Sequence, residues 1–171
     1  SSTLNAAAVN GFQSVNVASC AKHYIAERAP HSGKDRAPVY LDERQIREWY
    51  LPPFEYAIGA GLKSIMIGSA ELNGIPLHAN SYWIRKVLRD ELSFDGVVIT
   101  DWGDIERLIT THKTAIDYED AVMQAIEAGI DVCMVPNDYN FCIALKTLVE
   151  DGRVKETRLD ESVRRIITMK E

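Results

Sequence analysis

An α/β fold of parallel strand–helix units is what this sequence predicts, and three observations carry the prediction. Short apolar, often β-branched runs alternate with amphipathic stretches, strand then helix, four times along the chain. The runs recur at roughly 30–45 residues, the spacing of the larger βα units. The central run, Gly96-Val97-Val98-Ile99-Thr100, is continuously apolar rather than alternating, as in a strand covered on both faces. Such alternation gives a parallel sheet with right-handed crossovers, so all four strands open their carboxyl ends on one face. In α/β proteins that face carries ligands and chemistry. A closed (β/α)8 barrel of the TIM type takes about 250 residues. Four repeats in 171 residues supply about half of one.

Composition sets the class. Apolar residues make up 46% and charged residues 26%, as in a soluble globular protein with a sizeable core, and residues 1–171 read as a single domain. The net charge of −6 with no basic run argues against nucleic acid or an anionic membrane as partner. No apolar segment approaches a membrane span. The sequence opens on neither Met nor a basic-then-apolar leader, so cytoplasmic, periplasmic and secreted locations all stay open. Of the three cysteines, Cys20 and Cys133 fall in predicted strands, where a thiol packs as a small hydrophobe, and Cys142 falls on a predicted helix. Neither metal-ligand spacing nor a disulfide framework is present, and no cofactor is expected.

The elements follow in order. Ala6 to Phe12 suggest the end of a helix broken by Gly11, and Val15 to His23 form the first strand, ending on two basic side chains. A polar loop over 27–38 is longer than most connections, a length at which loops are often functional. Asp42 starts a helical pattern that Pro52-Pro53 interrupts, giving two short helices or a kink before Gly61. Lys63 to Gly68 is the second strand, followed by a loop through Asn73-Gly74, a turn signal. Ile84, Val87, Leu88 and Leu92 mark the helix that leads to the central strand. The loop 103–117 is polar, and Asp117 caps a helix closed by Gly129. Asp131 to Pro136 is the fourth strand, with Asp138 beyond it as a helix cap. Two helices follow, the last opened by a capping-box-like Thr157-Arg158-Leu159-Asp160.

Each predicted strand ends in polar or aromatic chemistry: Lys22-His23, Ser69 with Glu71, Asp101-Trp102, and Asn137-Asp138. Singly these residues are ordinary turn and cap formers. Their convergence on one rim is informative. A carboxylate beside an indole suits a sugar, which needs a charged partner for its reacting carbon and a flat apolar platform.

At these residues the chain resembles glycoside hydrolase family 3, and its β-glucosidase-type members in particular. The resemblance is carried by Lys22-His23-Tyr24, by Ser64 to Ile67 with Asn73-Gly74-Ile75-Pro76 and His78-Ala79-Asn80, and by Gly96 to Trp102. Ala128-Gly129-Ile130-Asp131 with Met134-Val135-Pro136, and Arg158 to Ile166, complete it in order to the end of the chain. The resemblance implies a retaining, exo-acting β-glucosidase-like hydrolase, with this chain as strands five to eight of its TIM-like barrel. Asp101 then matches the nucleophile, Trp102 the indole that stacks on the sugar, and Lys22 and His23 the pair that binds sugar hydroxyls. Ser69 and Glu71 are further substrate-binding candidates, at a wall where many members carry an aromatic residue.

A retaining glycosidase needs an ionised carboxylate below the anomeric carbon and a protonated acid about 5–5.5 Å away. Lys22 nearby would keep Asp101 ionised. The family's acid/base is usually a glutamate from a second domain, and its earlier strands supply an acid and an arginine to the glucose site; neither has a counterpart here. His31 lies in the loop where one branch of the family carries a catalytic histidine, but its neighbours do not match and it is given no role. The expected partners are a β-linked glucoside or oligosaccharide, a missing half-barrel or second domain, or a second copy of the chain. The alternatives are a non-catalytic half-barrel assembly module, an aldolase-like barrel with Lys22 as Schiff-base lysine, and a metal-dependent barrel using Asp101 and His23.

Overall fold

Three of the four predicted strands pair in one parallel sheet. The structure of the protein is a computed structural model and describes residues 2–135 and 139–171. Strands β1 (Cys20–Tyr24), β2 (Ser64–Ile67) and, after a small hairpin, β5 (Val97–Ile99) lie in the order β1-β2-β5. Ala21 sits beside Ile65, and Ile65 beside Val98. The sheet is open, and no barrel closes among the described residues.

Among the described residues, the fourth predicted strand is corrected to a parallel bridge between Ile99 and Val132. Its remaining polar groups turn to the loop instead: the Met134 N–H donates to Thr100 Oγ1 (2.8 Å), and the Gly103 N–H donates to the Met134 carbonyl (3.0 Å). Pro136, Asn137 and Asp138 lie outside the described residues. The first strand is shorter than predicted, because the amides of Val15 and Val17 both donate to the Phe12 carbonyl and wind the chain off helix α1 (Ser2–Gln13). That helix runs through Gly11. Cys20 is exposed rather than packed, since β1 is an edge strand on which Tyr24 alone is buried. Cys133 is half-buried, and Cys142 is exposed on the helix Asn140–Glu150.

The loop after β2 folds into a hairpin of β3 (Glu71–Leu72) and β4 (Ile75–Pro76). Asn73 and Gly74 both take positive φ (+53° and +83°), as a two-residue turn of this hand requires. The stretch from Asp42 to Gly61 is α2 (Glu43–Gln45), a π-type turn (Ile46–Tyr50) and α3 (Pro52–Gly59). Asp42 and Gln45 form a reciprocal capping box, and the two prolines fall in the first turn of α3, where a missing N–H costs nothing. The helix before β5, Tyr82–Glu91, also has π-type bonding and buries Trp83, Ile84, Val87 and Leu88.

A helix absent from the sequence reading, α4 (Asp104–Thr110), occupies the predicted polar loop and buries Ile105 and Leu108. Helix α5 (Tyr118–Ala128) starts as predicted, with Asp117 accepting from the Asp120 N–H (2.9 Å). It ends at Gly129, where φ is +116° and a Cβ would stand 2.8 Å from Ile84 Cγ2. Helices α6 (Asn140–Glu150) and α7 (Glu156–Lys170) complete the chain. The predicted capping box at Thr157 is not made: α7 begins two residues earlier, after Lys155, with no side-chain cap.

Two anchors hold the sheet to its helices. Tyr24, fully buried at the end of β1, donates its hydroxyl to the Trp83 carbonyl (2.9 Å) and packs edge-on against Phe54. Asp131, whose side chain is fully buried, accepts from the Val98 N–H (2.9 Å), Arg89 (2.6 Å), Ser162 (2.7 Å) and Arg165 (3.2 Å). Arg158 adds donors to the carbonyls of Ile126 and Ile130, which tie the end of α5 to α7. The buried charges are paired and their donors spent, as interior ions must be.

Candidate active site

Asp101 stands two residues beyond β5, on the rim to which β1 and β2 also deliver their carboxyl ends. Its carboxylate is held on both oxygens. The Trp102 main-chain N–H donates to Oδ1 (2.6 Å), and the Ser69 hydroxyl donates to Oδ2 (3.3 Å). His23 Nε2 lies 3.4 Å from Oδ2 and an Arg36 nitrogen lies 3.8 Å from it. Burial pushes the carboxyl up, but the Trp102 N–H, His23, Arg36 and Ser69 outweigh burial and hold it below the ordinary carboxylate range. Charge support for the carboxylate comes from His23 and then from Arg36 of the polar loop, and Lys22, which the sequence suggested for that role, is not among its close partners.

His23 is aimed by Glu27. The pairing of β1 with β2 shifts register between Ala21 and Tyr24, and this bulge turns the intervening residues toward the rim. His23 Nδ1 meets Glu27 Oε2 at 2.5 Å, and Glu27 Oε1 accepts the Ser69 N–H at 3.0 Å. One carboxylate thus ties the ends of β1 and β2 together.

Lys22 is exposed and, among the described residues, makes no ion pair. With His23, Glu27, Phe12 and Trp49 it lines a cavity of about 830 Å³ beside β1, which Asp101 does not reach. Trp102 is 57% exposed, its ring free to meet a ligand. Glu71 does not join Asp101. It faces His112 (3.6 Å) from the hairpin. Glu71 is thus a neighbour of the site rather than a partner of the carboxylate. His31 stacks edge-on with Tyr40.

Behind Asp101 lies a buried layer that sequence reasoning missed. The Asp101 N–H donates to His78 Nε2 (3.3 Å), and Asp104 Oδ2 lies 3.5 Å from the same nitrogen. Burial pulls the His78 imidazole down to about 3, with Asp101 opposing the shift. Glu27, Arg36, His78 and Asp104 carry no sequence signal beyond their residue type. His78 was visible only as part of the quoted His78-Ala79-Asn80 motif.

Chemically, Asp101 is an ionised, oriented carboxylate with an exposed aromatic ring next to it, the equipment of a nucleophile toward a sugar carbon. Schiff-base lysines are found desolvated or beside a second cationic group, whereas the Lys22 side chain is exposed. Among the described residues, no group of three His, Cys, Asp or Glu side chains could hold a metal ion.

Residues 1–169 match the family described as the glycosyl hydrolase family 3 N-terminal domain. The chain belongs to glycoside hydrolase family 3. It is 48% identical, over 99% of its length, to a lysosomal β-glucosidase of Dictyostelium discoideum, of which it covers 22%. It is 34% identical, over 91% of its length, to a periplasmic β-glucosidase of Salmonella typhimurium, of which it covers 20%. Among solved structures, a β-glucosidase of Listeria innocua in complex with isofagomine superimposes with a TM-score of 0.92 at 36% identity, over 99% of this chain and 24% of that one. The chain thus spans about a fifth of the length of the curated family 3 relatives it matches. Among the described residues, no helix is long and apolar enough to cross a membrane.

Proposed function

We propose that this chain carries the nucleophile of a retaining β-glucosidase, and that residues 1–171 form one domain corresponding to the second half of a family 3 barrel. The observation that carries the reading is the Asp101 carboxylate: kept ionised, gripped on both oxygens, and set beside the exposed Trp102 ring. Asp101 attacks the anomeric carbon of a terminal β-glucosyl residue, and the leaving alkoxide takes a proton from an acid. The resulting glycosyl ester on Asp101 is hydrolysed by water. His23 and Lys22 donate to the sugar hydroxyls, Ser69 orients the nucleophile, and Trp102 stacks on the sugar. The other carboxyls of the cluster do not suit the acid role. Glu27 is committed to His23 and to the Ser69 N–H, and Asp104 is sealed from solvent. The acid is therefore supplied from outside residues 1–171.

Trapping with a 2-deoxy-2-fluoro-β-glucoside bearing an activated leaving group tests this directly, since such a leaving group departs without an acid. A mass increase of one fluoroglucosyl unit on the peptide holding Asp101 is expected. A label on another residue, or none, contradicts the assignment.

The unpaired outer edge of β1, beside the cavity lined by Phe12 and Trp49, supports a second reading of the same chain as an assembly unit. A missing half-barrel or a second copy would cover that edge.

A further inference from the structure

The layer behind the Asp101 carboxylate contains two buried titratable groups that the chemistry above does not use. His78 comes from the turn of 3-10 helix Leu77–Ala79, and Asp104 from the first turn of α4; both are 2% exposed. They meet at one atom. Nε2 of His78 accepts the Asp101 main-chain N–H at 3.3 Å, and Oδ2 of Asp104 stands 3.5 Å from that nitrogen.

A ring nitrogen that accepts an N–H carries a lone pair and no proton, so the His78 proton sits on Nδ1. The Asp104 oxygen facing it then offers either a second lone pair, which repels, or an O–H, which does not. Both oxygens of Asp104 are sealed from water, and the nearby Ser69 hydroxyl, which favours the anion, is donated to Asp101 Oδ2 instead, leaving neither Asp104 oxygen with a hydrogen bond of good geometry. An ionised carboxylate without donors is among the costliest groups to bury, whereas a carboxylic acid is far cheaper. The charged neighbours divide. Arg36 from the polar loop and Arg107 from α4 favour the anion, and Asp101 at the strand end opposes it. Arg107 Nε, itself buried, lies 3.4 Å from Oδ1 without forming a hydrogen bond, so its pull toward the anion is left without a donated proton. His112 and Arg107, which also act on His78, both disfavour an imidazolium there. Burial is the largest influence on Asp104 and raises its carboxyl above the ordinary range.

We propose that His78 and Asp104 are positioning residues for Asp101: Asp104 stays a neutral acid with its O–H toward His78, and the neutral imidazole holds the Asp101 main chain. Asp101 is then the single negative charge of the layer, with its carboxylate fixed toward the rim. Once Asp104 ionises at higher pH, its anion draws a proton onto Nε2, the Asp101 N–H loses its acceptor, and the nucleophile loosens. The kinetic consequence rests on the reading of Asp101 as nucleophile; the protonation pattern does not.

Long-range proton–nitrogen NMR of the full chain labelled with nitrogen-15 histidine reads the pattern directly. The chain has four histidines, and loss of one signal in His78→Gln assigns the resonance. At about pH 6, a neutral His78 with a bare Nε2 and a protonated Nδ1 is expected. A protonated Nε2, in either the other tautomer or the imidazolium, overturns the proposal. Fluoro-sugar labelling across pH supplies the second readout. The wild-type rate should fall on the alkaline side, Asp104→Asn should remove that fall, and folded His78→Leu should label at least about tenfold more slowly. Equal rates in His78→Leu and wild type overturn the positioning role. A wild-type chain that never labels contradicts the nucleophile assignment instead, and the NMR result then decides the present proposal alone.

Discussion

At the residue scale, burial writes a pH dependence into the fold. In the unfolded chain His78 takes a proton as pH falls through about 6.5, but in the folded chain it resists protonation down to about 3. The unfolded state binds more protons across that window, so stability present above about 6.5 is lost progressively on acidification, by on the order of a few kcal/mol. His112, pulled down by burial and then by Arg107, adds a loss of the same sign. Asp104 works in the opposite sense. Its raised carboxyl stabilises the fold at low pH, and that stabilisation is lost as pH rises from about 3.8 through its folded value. Urea midpoints measured from neutral pH downward should therefore fall, His78→Gln should flatten the fall, and Asp104→Asn should steepen it. A second expectation concerns Asp101. Asp101→Asn should remove fluoro-sugar labelling and cut turnover in any active assembly by several orders of magnitude, because no neighbour replaces the covalent step. Asp101 and Trp102 were legible because a strand end announces them. Glu27, Arg36 and Asp104 were not, since each joins the site through a fold contact with a residue distant in sequence or buried behind it.

Elements were legible where their apolar pattern is long and their ends are marked. Strands β2 and β5 fall inside their predicted runs, and α5 has both its Asp117 cap and its Gly129 stop. Helix α4 escaped because seven residues give less than two turns, with a buried acid at its start obscuring the pattern. The fourth strand was overcalled for a related reason. Its apolar run is real, but Thr100 and Gly103 take the main-chain groups that a longer ladder would use. Asp131 shows how the elements are then locked. Replacing it with Ala removes the partner of Arg89 and of the α7 arginines while those charges stay buried, a loss of about 3–5 kcal/mol. A fall in the denaturation midpoint without loss of helix content at low denaturant would be the signature. Gly129→Ala should also destabilise, because the residue would be strained at φ +116° and its methyl would overlap Ile84.

At the scale of the molecule, the architecture followed from chain order: alternating strands and helices gave the parallel sheet, and four repeats gave an open rather than a closed one. Openness has a cost. The outer edge of β1 has no strand beside it among the described residues, and exposed Phe12, Val17 and Trp49 line the cavity next to it. Unpaired edges and apolar patches favour association. Sedimentation of the 171-residue chain at micromolar concentration should show dimers or larger species, and a charged substitution at Val17 should shift it toward monomer. A compact monomer with the edge protected from amide exchange would show that the chain covers β1 by itself. The same sheet also presents its carboxylate in an unusual manner. Oδ1 of Asp101 is held by the main-chain N–H of the next residue, a donor that no point mutation at Trp102 other than to proline deletes. A change of the indole at Trp102 therefore leaves this hold on Oδ1 in place, whatever it does to the ring that faces the rim. The aim of the carboxylate is thus written partly in the main chain, where substitution reaches it least.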